Sequence, residues 1–539
     1  MRYRVMSVAF LLGTGVAFAQ FPPQVKNVVV IFQENRTPDN LFHFLTPACP
    51  LPEPENVDPL EACIPKAVTD SCYDISPCGL SDRKGTPPVP VTLKPVPLSG
   101  SVDPDHSHNG FNNMCNPDPA TLKCRNDGAW KTSSPAGSSY GYVANTPVTN
   151  YDDSPGHLLE PYLKLAKLYG WANYMYQTNQ GPSFPAHQFI FGGTSAPTAP
   201  DDAKATFISE NFNNKVVSNN AGCLALEGAT NDVISPALDT SPPGCTLYAD
   251  SSVQECPIKN TALIYPTDPV GTFCFSHPTM ANVLDPHSIT WKYYAPSPGS
   301  IWTAPDAIKD ICEPAWVNPN GDPGSGLECT GKEWKANVDT NNLGTDILRD
   351  IANCDLARVS WVIPNGAWSD HAGPNDLYGP SWVTAIVNAI GSNRRCEKGT
   401  KDEGETYWEN TAIVITWDDW GGWSDNQPAP YASKLPCNSK DCQGDYQYGF
   451  RVPLIVVSAY TPAGYINNEQ HDFGSVLRMI EGINHLEEGQ LGFADKRAST
   501  DLRGFFTLTQ PRPYLVLPAE KDANFFLTYK GAAVDPDDD

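Results

Sequence analysis

Short apolar runs recur along the chain: VVVIF at 28–32, ITWKYY at 289–294, VSWVI at 359–363, AIVIT at 412–416 and VPLIVV at 452–457. Runs of this length, rich in β-branched and aromatic residues, read as strands of a parallel sheet buried on both faces. Elsewhere apolar positions return at helical spacing. In 158–169, Leu159, Tyr162, Leu163 and Ala166 share one face, and 382–390 and 476–483 show similar spacing. Strands that alternate with helices predict an α/β/α sandwich with a largely parallel central sheet. No internal repeat and no heptad pattern is present.

Three intervening stretches have a different texture. Residues 44–105 are rich in Pro and carry four Cys, and residues 196–260 are polar, Pro/Gly-spotted and carry three. Residues 295–345 have the same character. These read as surface excursions pinned by disulfides, inserted into one domain over 20–487. Residues 488–539 form a C-terminal extension that ends in a loose acidic tail, DPDDD.

The first residues change the chemical setting. Arg2 and Arg4 precede an apolar stretch, and Ala17-Phe18-Ala19 suits cleavage, so 1–19 read as a signal peptide. The apolar stretch is too short to span a membrane comfortably, and no integral membrane segment is expected after cleavage. A secreted or periplasmic location follows. All 16 Cys lie beyond the cleavage point, which suits a disulfide framework. Cys72 with Cys78, or Cys437 with Cys442, could close small local loops. Cys pairs as metal ligands are the weaker reading.

The formal net charge is −25, and loss of Arg2 and Arg4 deepens it by two. No nucleic-acid partner is expected through a general electrostatic field.

Two strand ends carry unusual residues. The run at 28–32 leads into Glu34-Asn35, and the run at 412–416 leads into Asp418-Asp419. Ligands collect beyond the carboxyl ends of strands in open α/β sheets. Glu34-Asn35 could equally be a turn, because Asn35, Pro38, Asp39 and Asn40 are all turn formers. Adjacent carboxylates at Asp418-Asp419 repel unless a cation lies beside them. Gly421-Gly422 then permits a tight turn, and Trp417, Trp420 and Trp423 argue against an exposed acidic loop.

Ser183 stands between Pro182 and Phe184-Pro185, where flanking prolines fix a bend. A hydroxyl there needs a metal or a base to become a nucleophile. His106 and His371 share loops with acidic residues and can hold phosphate oxygens or move protons. His108 reads as exposed, His187 gains interest from its closeness to Ser183, and His471 sits near a helix start.

Together these segments resemble the phosphoesterase family of bacterial phospholipases C and related acid phosphatases, within the alkaline phosphatase-like superfamily. Glu34-Asn35-Arg36-Thr37-Pro38-Asp39 resembles its ENRSFD pattern, and Gly181-Pro182-Ser183-Phe184-Pro185-Ala186-His187 its GP[ST]xPNR pattern. Thr416-Trp417-Asp418-Asp419-Trp420-Gly421-Gly422 resembles its T[WY]DExGG pattern. DPDHS, WSDH and FRVPLIVVS fit in order, so the likeness runs from about Val28 to Ile483. His187 and Ala186 replace the common Asn-Arg, and Asp419 stands where many relatives have Glu. Around His471, HDFGS differs from the commoner DHTS, so His471 stays outside the expected site.

The resemblance implies an alkaline phosphatase-like fold and a secreted metal-dependent phosphoesterase. Glu34, Asn35, Asp418 and Asp419 would bind a divalent metal ion of unknown identity. Ser183 would be the nucleophile and also face the metal. His106 and His371 would hold the phosphoryl group or assist the leaving group, with His108 and His187 as weaker substrate-binding candidates. The substrate would be a phosphomonoester or a phospholipid, the latter with transient contact at a membrane surface. Trp417, Trp420, Trp423, Tyr446 and Tyr448 could meet a choline group or serve only as packing. The competing expectation is a non-catalytic, disulfide-braced secreted protein that keeps a structural divalent cation.

Overall fold

Val28–Phe32 lie at the centre of an eight-stranded mixed sheet in a computed structural model of the chain. The structure describes residues 20–53, 57–118, 123–203, 207–208, 221–225, 233–234, 274–316, 327–392, 395–431 and 447–534. The signal-peptide reading, the acidic tail, most of the 196–260 excursion, Cys437, Cys442 and Tyr446 lie outside the described residues.

The strands are β1 Asn27–Gln33, β2 Gly170–Met175, β3 Trp291–Tyr294, β4 Val338–Asp339, β5 Val359–Val362, β6 Thr411–Trp417, β7 Leu454–Ser458 and β8 Tyr465–His471. Their spatial order is β4-β3-β5-β1-β6-β7-β2-β8. Every residue of β1 and β6 is buried, as expected for apolar runs covered on both faces. Burying each large apolar side chain contributes about 1.5–3 kcal/mol before entropy is counted.

The run at 452–457 is corrected in direction. Its strand, β7, is antiparallel to both β6 and β2, whereas the other neighbouring pairs are parallel. The sheet is therefore largely but not wholly parallel. A buried strand has the same apolar signature in either direction, so composition cannot distinguish the two. β2 and β8 escaped notice because GWANYM and YINNEQH lack a β-branched run. β8 is an edge strand, where polar residues are tolerated and discourage further pairing.

Helices cover both faces. They are α1 Glu160–Leu168, α2 Ser183–Gly192, α3 Gly379–Gly391 and α4 Phe473–Ile483. Phe32 meets His187 of α2 and Phe473 of α4, and Trp361 Nε1 donates to Ile190 O at 3.1 Å. Trp417 stands opposite Gln33, one position from Phe32, and so faces the other way. There it packs on Tyr162 of α1, and α3 lies beside α1 on that face. The result is a three-layer α/β/α arrangement. Asp472 starts α4 by a reciprocal capping box with Ser475. His471 accordingly ends β8, immediately before that cap.

Disulfides brace the excursions. Cys49–Cys72 and Cys63–Cys78 interlock within 44–105, and Cys223–Cys274, Cys312–Cys329, Cys115–Cys124 and Cys354–Cys396 also form. The Cys72–Cys78 expectation is thus wrong. Each of those cysteines finds a partner farther away, because non-local packing of the excursion decides which thiols meet. This stretch is also more than surface: Tyr73, Asp74, Ser76 and Leu98 are buried.

Candidate active site and cation-binding ring

The register of β1 on β6 builds the site. Gln33 pairs with Trp417 in a parallel ladder, so Glu34-Asn35 and Asp418-Asp419 leave the sheet side by side. The ladder continues as Asp418 N–H donates to Gln33 O at 2.9 Å. Asn35 N–H then donates to Asp418 Oδ1 at 2.8 Å. Asn35 adopts φ 55°, a left-handed conformation that Asn tolerates better than most residues. Gly421 (φ 61°) passes so near that a Cβ would lie 2.3 Å from Asn35 O. Its N–H donates to Asp419 Oδ1 at 2.6 Å.

Ser183 arrives from the same sheet edge. β2 runs in the sense of β6, and the loop after Met175 leads to Ser183 at the start of α2. Gln177 Nε2 and Asn179 Nδ2 donate to Gly181 O at 3.1 and 2.8 Å. Gln177 Oε1 accepts from Trp420 N–H at 3.1 Å, which ties the serine loop to the Asp418-Asp419 loop. Ser183 Oγ lies 3.3 Å from Glu34 Oε2, 3.4 Å from Asn35 Oδ1 and 3.4 Å from Asp419 Oδ2.

The orientation of the Asn35 amide follows from two histidines. His106 Nδ1 lies 2.9 Å from Pro104 O, and His371 Nδ1 faces Ala372 O. A carbonyl needs a donor, so Nδ1 carries a proton, and in the singly protonated tautomer Nε2 of each ring is an acceptor. One end of the Asn35 amide lies 2.7 Å from His106 Nε2 and 3.2 Å from His371 Nε2. Assigned from this network, that end is the NH2 group, whose two hydrogens serve both rings. The opposite rotamer would satisfy Glu34 and Asp418 but would require proton-bearing Nε2 atoms on both histidines.

Asn35 Oδ1 then faces the acidic ring, 3.1 Å from both Glu34 Oε2 and Asp418 Oδ1. Amide, hydroxyl and carboxylate oxygens converge with too few protons between them. Burial, and then the charges of Asp418 and Asp419, push the Glu34 carboxyl well above its ordinary value. Asp418 Oδ2 is buried without a hydrogen-bond partner among the described residues. Neighbouring ligands of an octahedral cation with bonds of about 2.1 Å lie about 3.0 Å apart, and bonds of about 2.4 Å give about 3.4 Å. The observed oxygen spacings fall in that range, so Glu34, Asn35, Ser183, Asp418 and Asp419 fit a divalent cation.

His187 is placed behind Glu34. Its Nε2 lies 3.0 Å from Glu34 Oε1, and its Nδ1 lies 3.4 Å from Tyr293 Oη. Burial pushes His187 down to about 4, so this contact is a hydrogen bond of a neutral ring and not an ion pair. The signal was available in the sequence: Ser183 and His187 are four residues apart, on one face of a helix. His108 is buried, which corrects the exposed reading. Its Nδ1 lies 2.7 Å from Gln180 O, on the loop that leads to Ser183. Burial pushes His108 down to about 4.

Other supporting residues were not anticipated. The Asp370 carboxylate accepts from Tyr162 Oη at 2.8 Å and Trp417 Nε1 at 3.1 Å, which straps the His371 loop to β6. Gln33 Oε1 accepts from Asp370 N–H at 3.1 Å. Arg451, fully buried, donates to Asp425 from Nε at 2.6 Å and from Nη2 at 3.0 Å. It also lies 3.6 Å from Asp74 and 3.7 Å from Asp39. One guanidinium therefore joins the loops that continue from both halves of the acidic ring. Trp417, Trp420, Trp423 and Tyr448 are buried packing residues and offer no aromatic surface.

A sequence model of the phosphoesterase family matches residues 25–487. A non-hemolytic phospholipase C of Burkholderia pseudomallei is 29% identical over 178 residues, covering 30% of this chain and 24% of that protein. Phospholipase C A of Mycobacterium tuberculosis is 30% identical over 150 residues, covering 25% of this chain and 26% of the relative. The matches thus span about a quarter of these relatives' length. A solved protein of the alkaline phosphatase superfamily from Vibrio parahaemolyticus overlaps 62% of this chain and 63% of its own, at 10% identity and a TM-score of 0.28. That overlap is too slight to carry an argument, and the fold stands on the sheet itself.

Proposed function

The chain belongs to the phosphoesterase family, and on that premise we propose that it is a metal-dependent phosphoric ester hydrolase with Ser183 as nucleophile. The observation that carries this reading is the place of the Ser183 hydroxyl, 3.3–3.4 Å from Glu34, Asn35 and Asp419 at the start of a buried helix. Glu34, Asn35, Asp418 and Asp419 would hold the cation, with Ser183 facing it. A bound divalent cation lowers the proton affinity of a hydroxyl and offsets negative charge on a phosphoryl group.

Exposure indicates the direction of approach. His371 is 7% and Ser183 3% exposed, whereas Glu34, Asn35, Asp418 and Asp419 are wholly covered. An ester therefore reaches Ser183 past His371. Ser183 Oγ attacks phosphorus, the bond to the alcohol oxygen breaks, and the electron pair departs with that oxygen. His371 Nε2, unprotonated in this tautomer, takes the Ser183 proton as Oγ attacks and passes it to the departing alcohol oxygen, and His106, once its own Nε2 carries a proton, holds a phosphoryl oxygen from the other side of Asn35. The rings of His106 and His371 meet edge to face, with centroids 5.6 Å apart. Water then cleaves the phosphoserine, with His371 accepting its proton and returning it to Ser183 Oγ, and releases phosphate or a phosphorylated head group.

Relatives described as phospholipases C make phospholipids one substrate class and simple phosphomonoesters the other. The disulfides suit an oxidising compartment, and we place the enzyme outside the cytoplasm, secreted or periplasmic. No helix among the described residues is long and apolar enough to cross a membrane. A non-catalytic protein with a structural cation would not need a nucleophilic hydroxyl beside a proton carrier.

The test is hydrolysis of a chromogenic phosphomonoester and of phosphatidylcholine vesicles, with each candidate metal supplied from acidic to alkaline pH. The wild type is expected to outpace Ser183→Ala by about a thousandfold or more on at least one substrate. Equal rates on both substrates under every condition would end the proposal.

A further inference from the structure

Glu34 divides its two oxygens between different neighbours. Oε2 faces Ser183, at 3.3 Å, whereas Oε1 faces His187 Nε2, at 3.0 Å. On this second side, ligand atoms of Glu34, His187 and Asp418 all lie within 4.8 Å of one another, and all three residues are buried. Asp418 also has a buried Oδ2 without a hydrogen-bond partner among the described residues. Among the described residues no lysine or arginine lies within ion-pair distance of Glu34 or Asp418.

Charge makes the cluster costly as it stands. Glu34, Asp418 and Asp419 bring three carboxylates into a region without solvent exposure. One divalent cation in the oxygen ring leaves a charge of about −1, and an ionised Ser183 would leave about −2. His187 is oriented as a metal ligand would be. α2 presents it one turn after Ser183, Tyr293 Oη stands at its Nδ1, and Phe32 packs edge-on at 4.8 Å. A second hydrogen-bonding partner on the remote ring nitrogen is the usual support for a ligating histidine.

We propose that Glu34 Oε1, His187 Nε2 and an Asp418 carboxylate oxygen form a second cation subsite, so that the centre takes two divalent ions bridged by Glu34 and Asp418. The inference rests on the phosphoesterase reading and deepens it. A nitrogen ligand beside carboxylates favours a transition cation such as Zn²⁺ or Mn²⁺ over Mg²⁺ or Ca²⁺. Ligands around a cation with bonds of about 2.1 Å lie at most about 4.2 Å apart, so side-chain shifts below about 1 Å close the subsite.

The test counts ions. Metal-depleted full-length protein is loaded with Zn²⁺, passed through a desalting column, and its zinc measured by elemental analysis. The wild type is expected to hold two ions per chain and His187→Ala one, with circular dichroism confirming that the variant is folded. One ion in the wild type overturns the second subsite and leaves the phosphoesterase reading standing. No ion in the wild type removes both. Two ions in both proteins place the second ion elsewhere and also overturn the proposal. Should His187→Ala fail to fold, electron paramagnetic resonance of wild type saturated with Mn²⁺ decides. A spin-coupled pair is expected, and a spectrum of isolated ions overturns the inference.

Discussion

Asn35 and His106 meet side chain to side chain, amide to Nε2, at 2.7 Å. The contact turns the amide NH2 outward and its oxygen toward Ser183, Glu34 and Asp418. His106 therefore orients an oxygen of the proposed cation site as well as flanking the approach of an ester.

Those two roles separate by substitution. His106→Gln keeps an acceptor for the Asn35 amide, whereas His106→Leu removes it. Calorimetric titration is expected to find metal affinity within about threefold of wild type for Gln and about 10–100-fold weaker for Leu. Turnover should fall about 100-fold or more in both, since the phosphoryl contact proposed for the His106 ring is lost. Equal metal affinities for Gln and Leu would remove the orienting role.

Gly421 protects the same amide from the other side. Its φ is positive, and a Cβ at this position would lie 2.3 Å from Asn35 O, which leaves no place for a side chain. Gly421→Ala is expected to lose about 1–3 kcal/mol in urea unfolding. Metal affinity should weaken with it, because Gly421 N–H also holds Asp419. Unchanged stability and affinity would show that the turn relaxes freely.

Asp370 predicts a pH slope. Burial raises its carboxyl from 3.8 to about 6, despite hydrogen bonds from Tyr162 and Trp417 and the charge of Arg36. The folded chain therefore holds this proton more tightly than the unfolded chain. The resulting stabilisation is fully present below about pH 4 and is lost as pH rises through about 6, to a total of about 3 kcal/mol. Asp370→Asn keeps an acceptor for Tyr162 and Trp417 but cannot ionise. Its urea-derived stability should be flatter between pH 4 and 6, and a slope equal to wild type would count against the assignment.

Arg451 predicts the largest structural loss. Arg451→Met strands the buried Asp39, Asp74 and Asp425 without their guanidinium, at a cost of about 3–5 kcal/mol. Thermal and urea unfolding measure it directly. A variant as stable as wild type would mean that the three carboxylates find other compensation.

Much of the frame was legible along the chain. Val28–Phe32 and Ala412–Ile415 announce central strands because an apolar β-branched run of that length has few other homes. Charges placed directly after them announced a site, since such residues are costly at a covered strand end. The family patterns around Glu34, Ser183 and Asp418 linked segments far apart in sequence. Gly170–Met175 was not legible, because its mixed residues become a strand only between β7 and β8.

By itself, then, the sequence determined the layered α/β class, the central strands and the residue types brought to their ends. These rest on local periodicity and on the cost of burying charge, which each segment carries with it. Only the tertiary structure decided the antiparallel sense of β7, the partners of Cys72 and Cys78, the burial of His108 and the place of His187 behind Glu34. It also decided which way the Asn35 amide turns. Each of these depends on a neighbour many residues away, and such a contact exists only once the chain has closed around it.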